Sequence, residues 1–253
     1  RFPEDSLIVD DLVRAVREML DEDVPGGPSH PTVTIINLSL GDANRPFFGR
    51  MSAWARAVDW LSFKYGVLFV ISAGNIDTLE IPSAHDCDHY ATLAGTARTR
   101  ATVEGMRDAL PYRTLIAPAE AVNAMTVGAS HEGAGNHPPS IGVDNHDPVL
   151  DEGFPSPVSR HGPGFRRSVK PDILMPGGKL RGRANMVARP ALLRFIGANQ
   201  YGGLQVAGSD GIATSWSGAT SGAAALASRA AHQIYDALSE TYGTAFTGID
   251  KAH

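Results

Sequence analysis

From Ser6 to Asp23, Leu7, Ile8, Leu12, Val13, Val16, Met19 and Leu20 recur at helical spacing with acidic residues at the start, a pattern that predicts an amphipathic helix. Pro25-Gly26-Gly27-Pro28 ends it. Val33 to Leu40 is a near-continuous apolar run rich in β-branched residues, as expected of a strand buried on both faces of a parallel sheet. Helical spacing returns from about Met51, with Met51, Trp54, Ala55, Val58 and Leu61 on one face and Gly66 as the C-terminal stop. Val67 to Ala73 is the next buried strand, and Ala121 to Ser130 returns to the sheet. This alternation predicts an α/β fold: right-handed βαβ units in a doubly wound, mostly parallel sheet with helices on both faces. The ligand cleft of such a sheet lies beyond the carboxyl ends of its strands, where Gly41 and Asn75 both fall.

Between these elements the pattern is weaker. Arg98 to Leu110 predicts a short helix with Val103, Met106 and Leu110 inward. His131 to Glu152 is rich in His, Pro, Gly and Asp and reads as loop. Lys179 to Gly208 carries Arg181, Arg183, Arg189 and Arg194 beside the apolar stretches Ala191 to Ile196 and Leu204 to Ala207, which could form a hairpin with a solvated, arginine-bearing edge. A run dominated by alanine then starts at Ser221 and continues as a helix to about Tyr242, with Leu226, Ala230, Ile234, Ala237 and Leu238 inward.

Ser221 follows a Gly-Ala-Thr turn at the start of that helix. Free backbone N–H groups and the positive end of the helix dipole favour negative charge there, which suits a nucleophile and the oxyanion it generates. A capping role for Ser221 or Thr220 is the plainer alternative. Upstream, Val70-Ile71-Ser72-Ala73-Gly74-Asn75 runs a strand into an asparagine whose amide can donate to an oxyanion.

Five segments in one order carry a resemblance. Ile36 to Gly41 matches Ile-Asn-Met-Ser-Leu-Gly, Ser72 to Asn75 matches Ala-Ala-Gly-Asn, and Val127 to Ala129 matches Val-Gly-Ala. Lys170 to Gly177 matches Lys-Pro-Asp-Ile-x-Ala-Pro-Gly, and Ala219 to Ala225 partly matches Gly-Thr-Ser-x-Ala-x-Pro. Together they resemble the subtilisin-like serine peptidases, or subtilases, over most of the chain, as one domain spanning 1–253 with insertions at about 76–118 and 179–208. The resemblance implies Ser221 as nucleophile and Asn75 with the Ser221 N–H as oxyanion donors. Ser39, Leu40, Gly41, Ala73 and Gly74 would line the main chain and side-chain pockets of a peptide or protein substrate.

The family's aspartate and histidine motifs precede the first matched strand, and neither is found in the residues before it. The resemblance therefore implies a fold incomplete at the N-terminus and a serine endopeptidase whose base and aspartate lie in a missing N-terminal part of the same protein. This chain alone would then be inactive, because an unassisted serine hydroxyl is a poor nucleophile. His161 precedes a glycine, but it lies in a segment that is structural in the family. Ala219, Gly222 and Ala225 depart from the family pattern, and a methyl at 219 is a modest intrusion unless φ there is positive. The alternative is a non-catalytic relative that keeps the fold and binds a partner.

Composition narrows the partners. The 253 residues suffice for one large domain, the net charge of −5 is mild, and the basic residues form no long run, so neither nucleic acid nor a membrane surface is expected. One cysteine, Cys87, excludes an internal disulfide and fits a reducing, cytoplasmic setting. His85-Asp86-Cys87-Asp88-His89 lacks the spacing of a common zinc site, so no metal is expected. Asp144, Asp147 and Asp151 lack the pattern of a calcium loop, so structural calcium, which many subtilases carry, has no motif here and no cofactor is expected.

Overall fold

The periodic N-terminal segment folds as α1 (Ile8–Leu20), whose buried Val16 faces the core. The helix stops short of the expected Asp23 because Asp21 turns extended and gathers three donors: Arg17 Nε at 3.0 Å, Lys64 Nζ at 3.1 Å and the Tyr65 hydroxyl at 2.8 Å. The computed structural model describes residues 7–133, 145–150, 153–184, 187–200, 202–209, 211–243 and 246. After α1 come β1 (Ile35–Leu38), β2 (Asp42–Pro46), α2 (Ala53–Tyr65), β3 (Leu68–Ser72), β4 (Thr78–Ile81), α3 (Cys87–Thr92) and α4 (Gly95–Asp108). Then follow β5 (Ile116–Ala117), β6 (Ala124–Ser130), β7 (Asn145–His146), β8 (Gly162–Pro163), β9 (Val169–Lys170) and β10 (Ile173–Pro176). β11 (Gly182–Arg183), β12 (Ala191–Phe195), β13 (Leu204–Ala207), β14 (Thr214–Ser217) and α5 (Ala219–Tyr242) complete the described elements.

Strands β1, β3, β6 and β10 form one parallel sheet in the order β1-β3-β6-β10. Alternation along β3 divides its faces. Phe69 and Ile71 join Val16, Trp54, Val58 and Leu61 from α1 and α2, whereas Val70 packs with Val127, Ala129, Ala223, Ala224 and Ala227 beneath α5. Helices thus cover both faces, as the apolar runs predict. The alanines of α5 let its backbone approach the sheet closely. Helix α2 is closed at both ends by local chemistry: Ser52 Oγ accepts from the Ala55 N–H at 3.0 Å, and Gly66 takes the left-handed conformation at φ 60°. Such a cap contributes about 1 kcal/mol.

The Lys-Pro-Asp segment holds the sheet together. Lys170 Nζ, buried, donates to the Ala124 carbonyl at 2.9 Å and to Asp172 Oδ2 at 2.7 Å, and the same carboxylate accepts from the Thr126 N–H at 2.7 Å. A buried ammonium is tolerated because a carboxylate and a carbonyl satisfy it.

The other regions depart from expectation. β12 does not pair with β13 as a hairpin. It pairs antiparallel with β4, and a second sheet forms in the order β4-β12-β11-β7, while β13 pairs with β14. The stretches at 76–118 and 179–208 therefore meet in one sheet, over a core of Leu79, Ile81, Tyr90, Met106 and Leu193. Helix α4 buries Thr99, Ala101, Thr102, Gly105 and Met106, while Leu110 lies beyond it and is exposed. Gly105 is needed there, since a Cβ would lie 2.6 Å from the Glu80 carbonyl of β4. Burial along α5 stops at Ala227, so Ile234 and Leu238, expected inward, face outward where the helix has no sheet beneath it.

Candidate active site at the sheet's carboxyl edge

Three parallel-sheet features converge on the start of α5. β3 ends at Ser72, the Ala73 N–H extends the ladder to the Val127 carbonyl at 2.9 Å, and Gly74 turns the chain at φ 93°. That conformation favours glycine. The turn presents Asn75, whose backbone is bridged antiparallel to Ser159 and whose carbonyl accepts from Arg160 Nε at 2.8 Å. The Asn75 side chain is fixed from the other side: Oδ1 accepts from the Thr220 N–H at 3.1 Å and from the Thr220 hydroxyl at 2.8 Å. A backbone N–H can only donate, so this edge of the carboxamide must be its oxygen, and Nδ2 is directed the other way. Asn75 is exposed.

Ser221 is the third residue of α5 and half-buried. Neither it nor Thr220 caps the helix: Gly218 occupies that position, and the Thr220 hydroxyl goes to Asn75. Of the first N–H groups, that of Ala219 goes to the Gly177 carbonyl at 2.7 Å and that of Thr220 to Asn75. Among the described residues the Ser221 N–H has no partner, which places a free donor one residue from the anchored carboxamide. The turn before it is strained. Ala219 holds φ 57°, a left-handed conformation that disfavours any residue with a Cβ, so its methyl is more than a modest intrusion. Packing leaves little alternative, because a Cβ at Gly177 would lie 2.5 Å from Ala129 Cβ and one at Gly218 would lie 3.0 Å from the Gly177 carbonyl.

β1 supplies the third side. Ser39 Oγ donates to Asn37 Oδ1 at 2.7 Å and lies 3.4 Å from the Ser221 carbonyl oxygen, while Asn37 Nδ2 donates to Ser228 Oγ at 3.0 Å. Beyond Ser39, Leu40 and Gly41 are exposed, whereas Ala73 is fully buried. Ser39, Asn75 and Ser221 are thus brought together at one edge. Gly41 and Gly74 share a neighbour, Ile116 of β5, whose side chain lies against both. Sequence reasoning missed Ile116, Ser159, Arg160 and the anchoring role of Thr220. Thr220, next to Ser221, and Ser159 and Arg160, in a segment that resembles the one before the family's Lys-Pro-Asp, carried a signal, and Ile116 carried none.

The described histidines make their contacts elsewhere. His30 lies 2.9 Å from Ser29 Oγ, His85 2.9 Å from Asp86, His131 2.7 Å from Asp147 and His232 3.4 Å from Asp236. His161 is half-buried. Burial, then the charge of Arg113, pushes its imidazole below the ordinary range. Arg113 is itself almost fully buried, donating to the Ser159 carbonyl at 2.6 Å, and burial followed by the nearby Arg160 lowers its guanidinium to about 10. Asp86 caps α3 through the His89 N–H at 2.9 Å and Cys87 is buried, so the His-Asp-Cys-Asp-His run is a helix start. Among the described residues no three His, Cys, Asp or Glu side chains are grouped to hold a metal. Asp144 and Asp151 lie outside the described residues. Arg181 is buried, not solvated, and with Arg183, Ile196, Asn199 and Trp216 it lines a cavity of about 430 Å³. No described helix is long and apolar enough to cross a membrane.

Known proteins resemble this chain over parts of their length. The chain is 32% identical to the uncharacterized protein y4bN of Sinorhizobium fredii over 148 residues, which is 58% of this chain and 31% of y4bN. Among solved structures, the prenylagaramide maturation protease PagA aligns with a TM-score of 0.45 at 17% identity, covering 93% of this chain and 52% of PagA. The self-cleaved protease domain of PatA aligns with a TM-score of 0.39 at 19% identity, covering 86% of this chain and 48% of PatA. The chain thus spans about a third of y4bN and about half of each of these structures. The family model described as the Subtilase family, peptidase S8, matches residues 5–245, so this chain, with its parallel sheet flanked by helices, belongs to the subtilases.

Proposed function

We propose that this chain carries the nucleophile and the oxyanion donors of a serine endopeptidase. The observation that supports this reading best is the double hydrogen bond from Thr220 to Asn75 Oδ1, which leaves the amide Nδ2 directed away from Thr220, while the N–H of the next residue, Ser221, has no partner among the described residues. Two donors set in advance for the charge that develops in a tetrahedral intermediate are a large source of rate enhancement.

In the proposed reaction, Ser221 Oγ attacks the scissile carbonyl as a histidine base takes its proton. The Asn75 Nδ2 and Ser221 N–H groups hold the resulting oxyanion. The histidine then delivers the proton to the leaving amine, and water, activated by the same base, hydrolyses the acyl-enzyme. Ser39, Leu40, Gly41 and Gly74 line the main-chain and side-chain subsites of a peptide or protein substrate, with the buried Ala73 packed behind them. The histidine and its aspartate come from a segment upstream of this chain in the parent protein, so the chain alone has little or no peptidase activity.

The test is labelling with a fluorophosphonate probe, with the modified residue mapped by mass spectrometry. Modification of Ser221 in the parent protein but not in this chain is the expected result. Failure to label the parent, with no aspartate and histidine motifs upstream, overturns the enzyme reading in favour of a partner-binding relative. Labelling of this chain alone refutes the upstream base.

A further inference from the structure

Gly41 ends the segment that follows β1, and Gly74 ends the one that follows β3. Neither glycine carries a side chain, so the two strand ends leave a slot between them. One side chain fills it. A Cβ placed at Gly41 would lie 2.7 Å from Ile116 Cδ1 and 3.0 Å from its Cγ1, and one placed at Gly74 would lie 2.6 Å from Cγ1 and 2.7 Å from Cδ1. The same two carbons of Ile116 thus press on both glycines. Ile116 is only 6% exposed. Its backbone is held in place by β5, which pairs antiparallel with β2 immediately after Gly41, with Asp42 opposite Ala117 and Pro46 opposite Ile116. At the Gly74 end, Arg160 Cδ lies 3.1 Å from the same hypothetical Cβ and its Nη1 donates to the Thr114 carbonyl at 3.0 Å, two residues before Ile116. Ile116 is therefore a fixed plug and not a surface side chain that can swing aside.

We infer that Ile116 sets the size of the substrate residue that reaches this slot, restricting it to glycine, alanine or serine. The inference rests on the proposed placement of the peptide along Gly41 and Gly74, and names the class of peptide that site takes. A side chain entering between the two glycines meets the Ile116 methyl and methylene at van der Waals distance. A leucine or phenylalanine must displace a buried isoleucine from between two backbones, a demand that falls as the entering side chain shrinks. The residue concerned is the one whose carbonyl faces Asn75 and Ser221, since Gly74 directly precedes Asn75.

The test is calorimetric binding to this chain carrying Ser221→Ala, so that no turnover is needed. The probes are pentapeptide acids that differ only in the C-terminal residue, whose carboxylate occupies the oxyanion position. The alanine peptide is expected to bind at least tenfold more tightly than the leucine or phenylalanine peptide. Adding Ile116→Ala erases or reverses that preference, on the order of tenfold for each methylene admitted, and Ile116→Val has an intermediate effect. Circular dichroism confirms that each variant is folded. If the alanine variant does not fold, the preference of the parent sequence and the shift in the valine variant decide. Equal binding of all peptides, a preference for leucine in the parent sequence, no binding of any peptide, or an unchanged preference in folded Ile116 variants overturns the inference. The fluorophosphonate result separates the two proposals: size selection without labelling of Ser221 leaves the slot and removes the peptidase, and labelling without size selection does the reverse.

Discussion

Thr220 donates twice to one oxygen, Asn75 Oδ1, from its backbone N–H at 3.1 Å and from its hydroxyl at 2.8 Å. The residue before the proposed nucleophile therefore sets the direction of the proposed oxyanion amide. Thr220→Val removes the hydroxyl donor and leaves the backbone one. In the labelling-competent parent protein we expect it to lower the rate of Ser221 acylation by about tenfold with little change in KM, and Thr220→Ser to restore most of the rate. Asn75→Ala removes the amide itself, and the expected loss is about 10²- to 10³-fold. Steady-state kinetics with one peptide substrate compares all three.

Ala219 at φ 57° marks a position where the backbone asks for glycine. Left-handed backbone costs a residue with a Cβ about 1–2 kcal/mol, part of which a glycine returns through its freer unfolded state. Ala219→Gly should raise the melting temperature by about 1–3 °C. Ala219→Val, branched at Cβ, should lower it by more than that. Thermal unfolding followed by circular dichroism gives both numbers, and a lower melting temperature for the glycine variant would contradict the strain.

Gly41 and Ile116 should be energetically coupled. Gly41→Ala drives a methyl into Ile116 and costs about 1–3 kcal/mol by overpacking. Ile116→Ala costs about 2–5 kcal/mol by opening a cavity. Together they should cost less than their sum, by on the order of 1 kcal/mol, in a denaturant double-mutant cycle. Gly74→Ala should be rescued less well, because φ 93° stays unfavourable after the contact is relieved.

Asp21 makes stability depend on acid. The Tyr65 hydroxyl, then Lys64 and Arg17, hold its carboxyl well below the usual carboxylate range. A folded pKa below the unfolded value means a stabilisation that is complete above about pH 4, the unfolded carboxylate range, and is lost as the pH falls toward the folded value. Asp21→Asn should therefore melt well below the wild type at pH 7, and the gap should narrow as the pH falls below about 4. A gap that stays constant with pH would mean that hydrogen bonding geometry, not ionisation, is what the residue contributes.

Patterning predicted β1, β3 and β6 of the parallel sheet because their runs are largely apolar, so that in β3 Phe69 and Ile71 serve one layer of helices and Val70 the other, whereas β10 was read only as a motif. Ser221 and Asn75 stood out as candidates because each sits where an apolar or alanine-rich run meets a turn of small residues, and their proposed roles came from the family resemblance and not from the pattern. What sequence did not reveal is tertiary in origin. Nothing in Leu115-Ile116-Ala117 distinguishes a plug from a core strand, and only the approach of two distant glycines does so. The pairing of β12 with β4 was hidden likewise, because β13 offered an equally apolar partner nearer in sequence, and the choice rests on the core around Leu79 and Leu193. Helix α5 shows the limit of periodicity, which continues to Leu238 although the supporting sheet does not.

The antiparallel sheet in which β4 joins β12 ties together two stretches far apart in the chain. Neither can be trimmed or exchanged alone: removing 179–208 would uncover the backbone edge of β4 and the apolar side of α4, and removing 76–118 would do the same to β12. Exposed strand edges recruit other chains. Any redesign or domain graft must therefore carry both stretches as one inherited unit.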